Sequence, residues 1–218
     1  MTSALLLSLV VGALATLLAL PPAVAAGWLF ARRSFPGKAL AETALLLPLV
    51  LPPVVTGWGL LLVFGRRGLL GSTLADAGVP IAFTAAGAVV ACAVMGFPLA
   101  FRACRVAFEQ VDPRLEGVAR TLGASKSRTF LAITLPLAKG GVVAAAVLAF
   151  ARCLGEFGAT MVFAGNVPGE TQTLPLLVYT GLQAAEGLDA VWAPALASVG
   201  LAFLLLAAGE RALRRGPA

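Results

Sequence analysis

The sequence contains no histidine and only three cysteines. Histidine is the commonest partner in protein metal sites, and Cys92, Cys104 and Cys153 show no C-x-x-C spacing, so we expect neither a metal nor a disulfide. The sequence also lacks the phosphate-binding pattern G-x-x-x-x-G-K-[ST]; the glycine-rich stretch 65–73 has the wrong spacing and no lysine. The chain is therefore predicted to hold no cofactor and not to hydrolyse ATP itself.

Charged residues are scarce, at 12% of the chain, whereas apolar residues make up 60%. Soluble domains average about 25% charged and about 45–50% apolar residues. With a mean hydropathy of +0.96, most of the chain needs the bilayer as its solvent. The sequence therefore predicts one all-α integral membrane domain over residues 1–218, without a soluble module.

Several apolar stretches have the length of about 20 residues that crosses a bilayer. These five predicted spans lie near 5–30, 43–64, 81–101, 140–163 and 190–208. The first resembles a secretory signal peptide, but its arginines come after the apolar run instead of before it, and the run is too long for a signal peptide. We therefore expect an uncleaved helix kinked at Pro21 and Pro22. A short sixth helix would form if 174–182 re-enters the membrane, and the sequence leaves this open.

Lysine and arginine are distributed unevenly along the chain. Thirteen of the sixteen lie in three segments, 31–42, 102–139 and 209–218. The other loops hold two, Arg66 and Arg67, and the stretch 164–189 holds none. Because cytoplasmic loops retain basic residues, we expect a multi-pass protein with its N-terminus outside and its C-terminus in the cytoplasm. The same rule explains the net charge of +6 without a nucleic-acid partner.

The loop 102–139 is long and patterned, and it predicts two short helices. Asp112 is a good N-cap, and Pro113 suits the first helical position, where its missing N–H is not needed. Apolar residues then recur at i, i+3, i+4 and i+7, which gives the first helix one apolar face. These residues are Leu115, Val118, Ala119 and Leu122.

A turn is predicted after this first helix. Gly123 can adopt the positive φ that closes a helix, and Ser125 can cap a second one. The second helix carries Ile133 and is predicted to end by Pro136, because proline biases the preceding Leu135 away from helical geometry. The result is a helix-turn-helix on the cytoplasmic surface.

This loop resembles the signature of ABC importer membrane subunits: Glu-Ala-Ala, three residues, Gly, nine residues, Ile-x-Leu-Pro. The matching positions are Gly123, Ile133, Leu135 and Pro136. The glutamate position instead holds Gly117, with Glu116 one residue earlier, a shift of about 100° around a helix. This shifted form resembles the molybdate-type members of the family.

The resemblance implies a MetI-like type I ABC importer transmembrane domain in the bacterial inner membrane. The loop would supply the coupling helices, which seat in a cytoplasmic ATPase. The residues implied in ATPase coupling are Glu116, Ala119, Gly123, Ala124, Ile133, Leu135 and Pro136. The implied partners are a second permease copy, a dimer of ATP-binding subunits and an extracytoplasmic molybdate-binding protein, all around a chain embedded in lipid.

The fourth predicted span contains two charged residues, Arg152 and Glu156, spaced i, i+4 on one helix face. A charge at mid-span costs about 2.5–3.5 kcal/mol on insertion scales, so both should face a partner, a cavity or each other. A purely structural ion pair is the alternative to a functional one.

The run 154–160 and the following segment 165–175 resemble molybdate permeases, and the resemblance covers most of 98–183. It places a substrate path near Arg152, Glu156, Thr160 and Asn166, with Glu156 mainly neutralising Arg152. Import of molybdate, and of tungstate, is the implied function. Three alternatives stay open: a sulfate or thiosulfate permease, an intramembrane enzyme using Glu156, and a proton-coupled secondary transporter.

Overall fold

The computed structural model describes residues 1–184 and 188–214, and all regular structure within these ranges is helical. The helices are α1 (Thr2–Arg32), α2 (Lys38–Val50), α3 (Pro53–Phe64), α4 (Gly71–Asp76), α5 (Ala85–Glu109), α6 (Pro113–Thr121), α7 (Lys126–Thr129), α8 (Leu135–Leu154), α9 (Gly158–Phe163), α10 (Leu174–Gln183) and α11 (Leu188–Arg214). A five-residue π-helical turn, Phe130–Thr134, joins α7 to α8. The prediction of an all-α chain is confirmed.

The helices long and apolar enough to cross a membrane are α1, α5, the continuous segment Lys126–Leu154 and the part of α11 over Val191–Arg211. In the described part of the chain, α2 and α3 add a fifth span if they count as one broken span. With that count, the predicted number of five spans is confirmed. The short helix α10 has 10 residues, or about 15 Å, and cannot cross a bilayer by itself.

The second predicted span is not continuous, so the prediction of one helix over 43–64 is wrong. The axes of α2 and α3 differ by 113°. Leu51 and Pro52 between them are extended, with ψ of 144° and 132°. Consecutive prolines explain this break, because Pro52 and Pro53 lack the N–H groups that a helix would use and disfavour helical geometry in the residue before each.

The first helix packs against α5 and α8. One face of α1 carries small residues at four-residue spacing, including Ala15, Ala19, Ala23 and Gly27, and these are buried. A Cβ on Gly27 would lie 2.8 Å from the Cβ of Cys104 in α5. Small residues therefore let the two helices approach closely, as is usual inside membranes.

The third predicted span differs from the structure at both ends. Predicted over 81–101, it is α5, which starts at Ala85 because the extended Thr84 accepts a hydrogen bond from Gly87 N at 3.2 Å. It also continues to Glu109. The loop predicted to begin at 102 therefore begins after Glu109.

The fourth predicted span, 140–163, is broken. The structure ends α8 at Leu154 and starts the separate helix α9 at Gly158. Gly155 and Gly158 are poor helix formers, and a Cβ on Gly158 would lie 2.8 Å from the Cβ of Pro53 at the start of α3. The break thus lets α9 pack closely on α3, which positions the polar residues between α8 and α9.

Two adjacent glycines of α8 allow a test of the packing between α8 and α5. A Cβ on Gly141 would overlap the Cβ of Ala107 in α5, whereas a Cβ on Gly140 would meet nothing within 4 Å. We expect Gly141→Ala to destabilise the protein by about 1–3 kcal/mol through overpacking. Gly140→Ala should stabilise it by up to about 1 kcal/mol, because alanine is the better helix former. The measurement is the thermal unfolding midpoint of each variant in detergent. A midpoint for Gly141→Ala equal to or above that for Gly140→Ala would contradict this packing of α8 on α5.

Candidate functional site

The helix α6 and the turn after it form as predicted. The side chain of Asp112 accepts a hydrogen bond from Arg114 N at 2.9 Å, and Pro113 occupies the first turn. Gly123 has φ of +89°, its N–H donates to Arg120 O at 3.1 Å, and Ala124 N donates to Ala119 O at 3.0 Å. This pair of hydrogen bonds closes the helix in the Schellman arrangement.

The second helix of the loop also starts as predicted, with Ser125 accepting a hydrogen bond from Arg128 N at 3.2 Å. The prediction that it ends by Pro136 with Leu135 non-helical is wrong. Leu135 has φ of −66° and ψ of −44°, and its N–H donates to Phe130 O. The wider π turn accommodates the proline, which then occupies the first turn of α8, where no N–H is needed. As a result, the loop is joined to α8 by one continuous helical segment.

Glu116 connects α6 to the membrane helices. Its Oε1 accepts hydrogen bonds from Arg32 Nε at the end of α1 and from Thr134 Oγ1 in the π turn, both at 2.9 Å. Arg32 also donates to Val111 O at 2.9 Å. Glu116 therefore faces the domain, where it ties three elements together. Sequence reasoning missed its partner Arg32, although the basic end of the first span was the available signal.

The opposite side of α6 is an unpaired apolar surface. Leu115 is 48% exposed, Val118 57% and Leu122 83%. The remaining residues implied in coupling differ in their exposure to solvent. Gly123 and Pro136 are exposed, whereas Ala119, Ala124, Ile133 and Leu135 are half-buried. The structure thus presents the apolar face of α6 outward on a unit that is fixed to the domain by Glu116.

The charged residues of the fourth span form an ion pair, with 2.7 Å between Arg152 Nη1 and Glu156 Oε2. The side chain of Glu156 is 1% exposed and that of Arg152 is 24% exposed. The contact is a charge contact rather than an aligned hydrogen bond, since Oε2 has no hydrogen bond in the described chain. Glu156 Oε1 accepts from Ala159 N at 2.8 Å, so the carboxylate also caps the start of α9. Glu156 lies outside α8, not on its face as predicted.

The two other predicted path residues lie in different surroundings. Thr160 is fully buried, and its hydroxyl donates to Phe157 O at 2.9 Å. Asn166 belongs to a separate polar network, in which its Nδ2 donates to Thr180 Oγ1 at 2.9 Å and its Oδ1 accepts from Gln172 Nε2 at 3.0 Å. Sequence reasoning did not single out Gln172 or Thr180, although Gln172 lies in the polar run that it noted.

The structure therefore brings Arg152, Glu156 and Thr160 together and holds Asn166 in a neighbouring loop. Phe157 and Tyr179 connect the two groups through a ring contact with 4.9 Å between centroids. The loop is anchored to α1, because Leu174 N donates to Ser8 Oγ at 2.8 Å. In the ranges that the structure describes, no three histidine, cysteine or acidic side chains are grouped closely enough to hold a metal ion.

Comparisons with known proteins agree with this architecture. The family described as binding-protein-dependent transport system inner membrane component matches residues 23–215. The fold is similar to that of a chain in a structure of the MetNI methionine ABC transporter in inward-facing conformations. The match covers 99% of this chain and 94% of the other, with a TM-score of 0.70 and 19% sequence identity. At that identity the match bears on the fold.

Sequence relatives cover 70–95% of the chain. It is 51% identical over 208 residues to the molybdenum transport system permease protein ModB of Escherichia coli strain K12, covering 95% of this chain and 91% of the relative. It is 40% identical over 201 residues to the putative molybdenum transport system permease protein YvgM of Bacillus subtilis, covering 92% and 88%. The sulfate transport system permease protein CysW of Synechocystis is 38% identical over 153 residues, covering 70% of this chain and 55% of the relative.

Proposed function

This chain belongs to the family of inner membrane components of binding-protein-dependent transport systems, and from this premise we propose that it is the permease subunit of a molybdate importer. The observation that carries the substrate assignment is the 51% identity, over 95% of the chain, to a molybdenum transport permease. The match to a sulfate permease is weaker and covers only 70% of the chain. Tungstate, as a chemically similar dianion, is an additional candidate substrate.

ATP hydrolysis by a separate cytoplasmic subunit would drive transport, and the unit formed by α6, the Gly123 turn and α7 would receive the force. The exposed Leu115, Val118 and Leu122 suit an apolar groove on that ATPase, which is how amphipathic helices dock on partners. This assignment places the end of α1 and the basic segments in the cytoplasm, and the N-terminus outside.

Movement of α6 would reach the membrane helices by two connections. The first is Glu116, which is hydrogen-bonded to Arg32 at the end of α1 and to Thr134 in the π turn. The second is the helical segment Lys126–Leu154, which carries the loop directly into a membrane span. A rigid connection of this kind supports rigid-body motion of the spans in alternating access.

The path for the anion would pass between two copies of the chain. A dianion cannot enter hydrocarbon, because its Born cost is tens of kcal/mol, so the path must be wet and lined by protein. Arg152 is a partly exposed cation in the last turn of α8, and Glu156 neutralises it in the absence of substrate. We place Arg152 and the Asn166 network along this path.

Docking of the ATPase can be tested with two matched leucines. Leu122 in the loop is 83% exposed, and Leu69 between α3 and α4 is 82% exposed. Leu122→Asp should reduce co-purification of the ATPase subunit by about tenfold or more, because it places a charge in an apolar groove. Leu69→Asp makes the same change outside the loop, between α3 and α4, and should leave co-purification unchanged. Equal losses in the two variants would contradict docking on α6.

The substrate assignment is tested in proteoliposomes that contain this chain, its ATPase and its binding protein. Labelled molybdate should enter in an ATP-dependent, vanadate-sensitive manner, and unlabelled sulfate in excess should not compete. Competition by sulfate would favour the sulfate permease alternative. Uptake driven by a proton gradient without the ATPase would instead identify a secondary transporter and overturn the proposed function.

A further inference from the structure

An open cleft of about 440 Å³ lies between the end of α1, the helix α6 and the helix α7. Its volume falls within the range of about 300–1,000 Å³ that is usual for small-molecule sites. The basic residues Arg32, Arg33, Arg120 and Lys126 line it, together with one carboxylate, Glu116. The function proposed above assigns no role to this cleft.

The charges in the cleft are not balanced. Arg32 is paired with Glu116, at 2.9 Å. Among the described residues, no carboxylate lies within 4.0 Å of the side chains of Arg33, Arg120 or Lys126, and all three are exposed. Three uncompensated cations at one opening favour a ligand that carries negative charge. Arginine side chains suit phosphate in particular, because their planar donors can make paired, charge-assisted hydrogen bonds.

One wall of the cleft is aromatic. Trp28 and Phe130 line it and contact each other edge to face, with 5.5 Å between ring centroids. Trp28 lies near the end of a membrane span, the level at which tryptophan is enriched in membrane proteins. The cleft thus combines an apolar wall at the membrane surface with a cationic opening, which matches the glycerol region and phosphate of a lipid rather than a fully water-soluble anion.

The cleft and the proposed ATPase surface lie on different faces of α6. Glu116 and Arg120, four residues apart, face the cleft. At about 100° per residue, the exposed apolar side chains lie on the opposite face. These side chains are Leu115, Val118 and Leu122. A ligand in the cleft and an ATPase on the loop can therefore be present together.

We propose that this cleft binds the phosphodiester headgroup of an anionic phospholipid of the cytoplasmic leaflet. Basic pockets beside membrane helices on that side are suited to anionic headgroups. Because the lipid would contact α1 and α6 together, it would also brace the loop against the first span. The side of the membrane rests on the orientation proposed above, whereas the binding measurement does not depend on transport.

The test uses the full chain in detergent with added phosphatidylglycerol, and counts retained lipid by native mass spectrometry. The triple variant Arg33→Gln, Arg120→Gln, Lys126→Gln should weaken retention by about tenfold or more. Arg128→Gln removes one exposed charge from the same loop without lining the cleft and should retain lipid normally. Unchanged retention in the triple variant would overturn the proposal.

Two further arms identify the ligand and exclude misfolding. The variant Arg33→Lys, Arg120→Lys keeps the charge but loses the planar donors, so it should retain more lipid than the triple variant and less than the wild type. A loss equal to that of the triple variant would contradict recognition by charge. Phosphatidylcholine, which has no net charge, should not be retained. Displacement of phosphatidylglycerol by millimolar inorganic phosphate would mean that the cleft takes free phosphate, and would overturn the lipid assignment.

Discussion

Replacing Gly123 by valine is expected to leave an inserted permease that takes up almost no substrate. The residue has φ of +89°, where a β-branched side chain is strongly disfavoured, although no neighbour lies within 4 Å of a Cβ at this position. Strain of this kind costs about 1–3 kcal/mol and would be relieved by re-forming the turn between α6 and α7. The unit that we propose receives force from the ATPase would then be misplaced, so ATP-dependent uptake should fall by about tenfold or more.

The control for this prediction is Gly123→Asn at the same position. Asparagine enters the left-handed region several times more readily than other non-glycine residues, so it should retain much of the uptake. Membrane insertion and chain abundance, measured by immunoblot of membranes, should be similar in both variants because the side chain meets no neighbour. Normal uptake by the valine variant would show that the geometry of this turn does not matter for coupling.

Local signals in the sequence were sufficient for the start of α6, the Gly123 turn and the start of α7. Asp112, Ser125 and Gly123 each make contacts that depend on the residue type and its immediate neighbours, and each lies where capping rules predict. The wrong prediction that the second loop helix ends by Pro136 also came from a local rule. Proline normally ends a helix, and sequence rules gave no indication that a π turn would let the helix continue.

Long-range partners could not be predicted in this way. The shift of the glutamate to Glu116 was visible in the sequence, but its contact with Arg32 joins residues 84 positions apart. The bend between α2 and α3 was also missed, because hydropathy counts apolar residues and is insensitive to the direction of the helix axis. The double proline was the local signal that should have divided this span.

The polar residues of the fourth span show a related limit. Spacing predicted that Arg152 and Glu156 share a helix face and left open whether they pair. They do pair, but at a helix end and not along a helix face. Gly155 and Gly158 allow the break that places the carboxylate at the start of α9. The pair is therefore built into the fold, and its structural contribution must be separated from any contact with the transported anion.

Comparing a variant that loses one charge of the pair with a variant that loses both charges separates the two contributions. Arg152→Ala alone should lower both stability and uptake, because the carboxylate of Glu156, 1% exposed, loses its partner at a cost of about 3–5 kcal/mol. The double variant Arg152→Gln, Glu156→Gln removes both charges, and the glutamine oxygen at 156 can still accept from Ala159 N. We expect its thermal unfolding midpoint to return close to that of the wild type.

Uptake by the double variant then decides the role of Arg152. If this cation contacts the anion during transport, molybdate uptake should stay at least tenfold below wild type although the chain is stable, because an attraction to a dianion has been lost. The same measurement with Glu156→Gln alone should show a smaller loss, since Arg152 keeps its charge. Uptake restored to the wild-type rate in the double variant would mean that the ion pair serves the fold alone, and the anion path would have to be sought elsewhere in the chain.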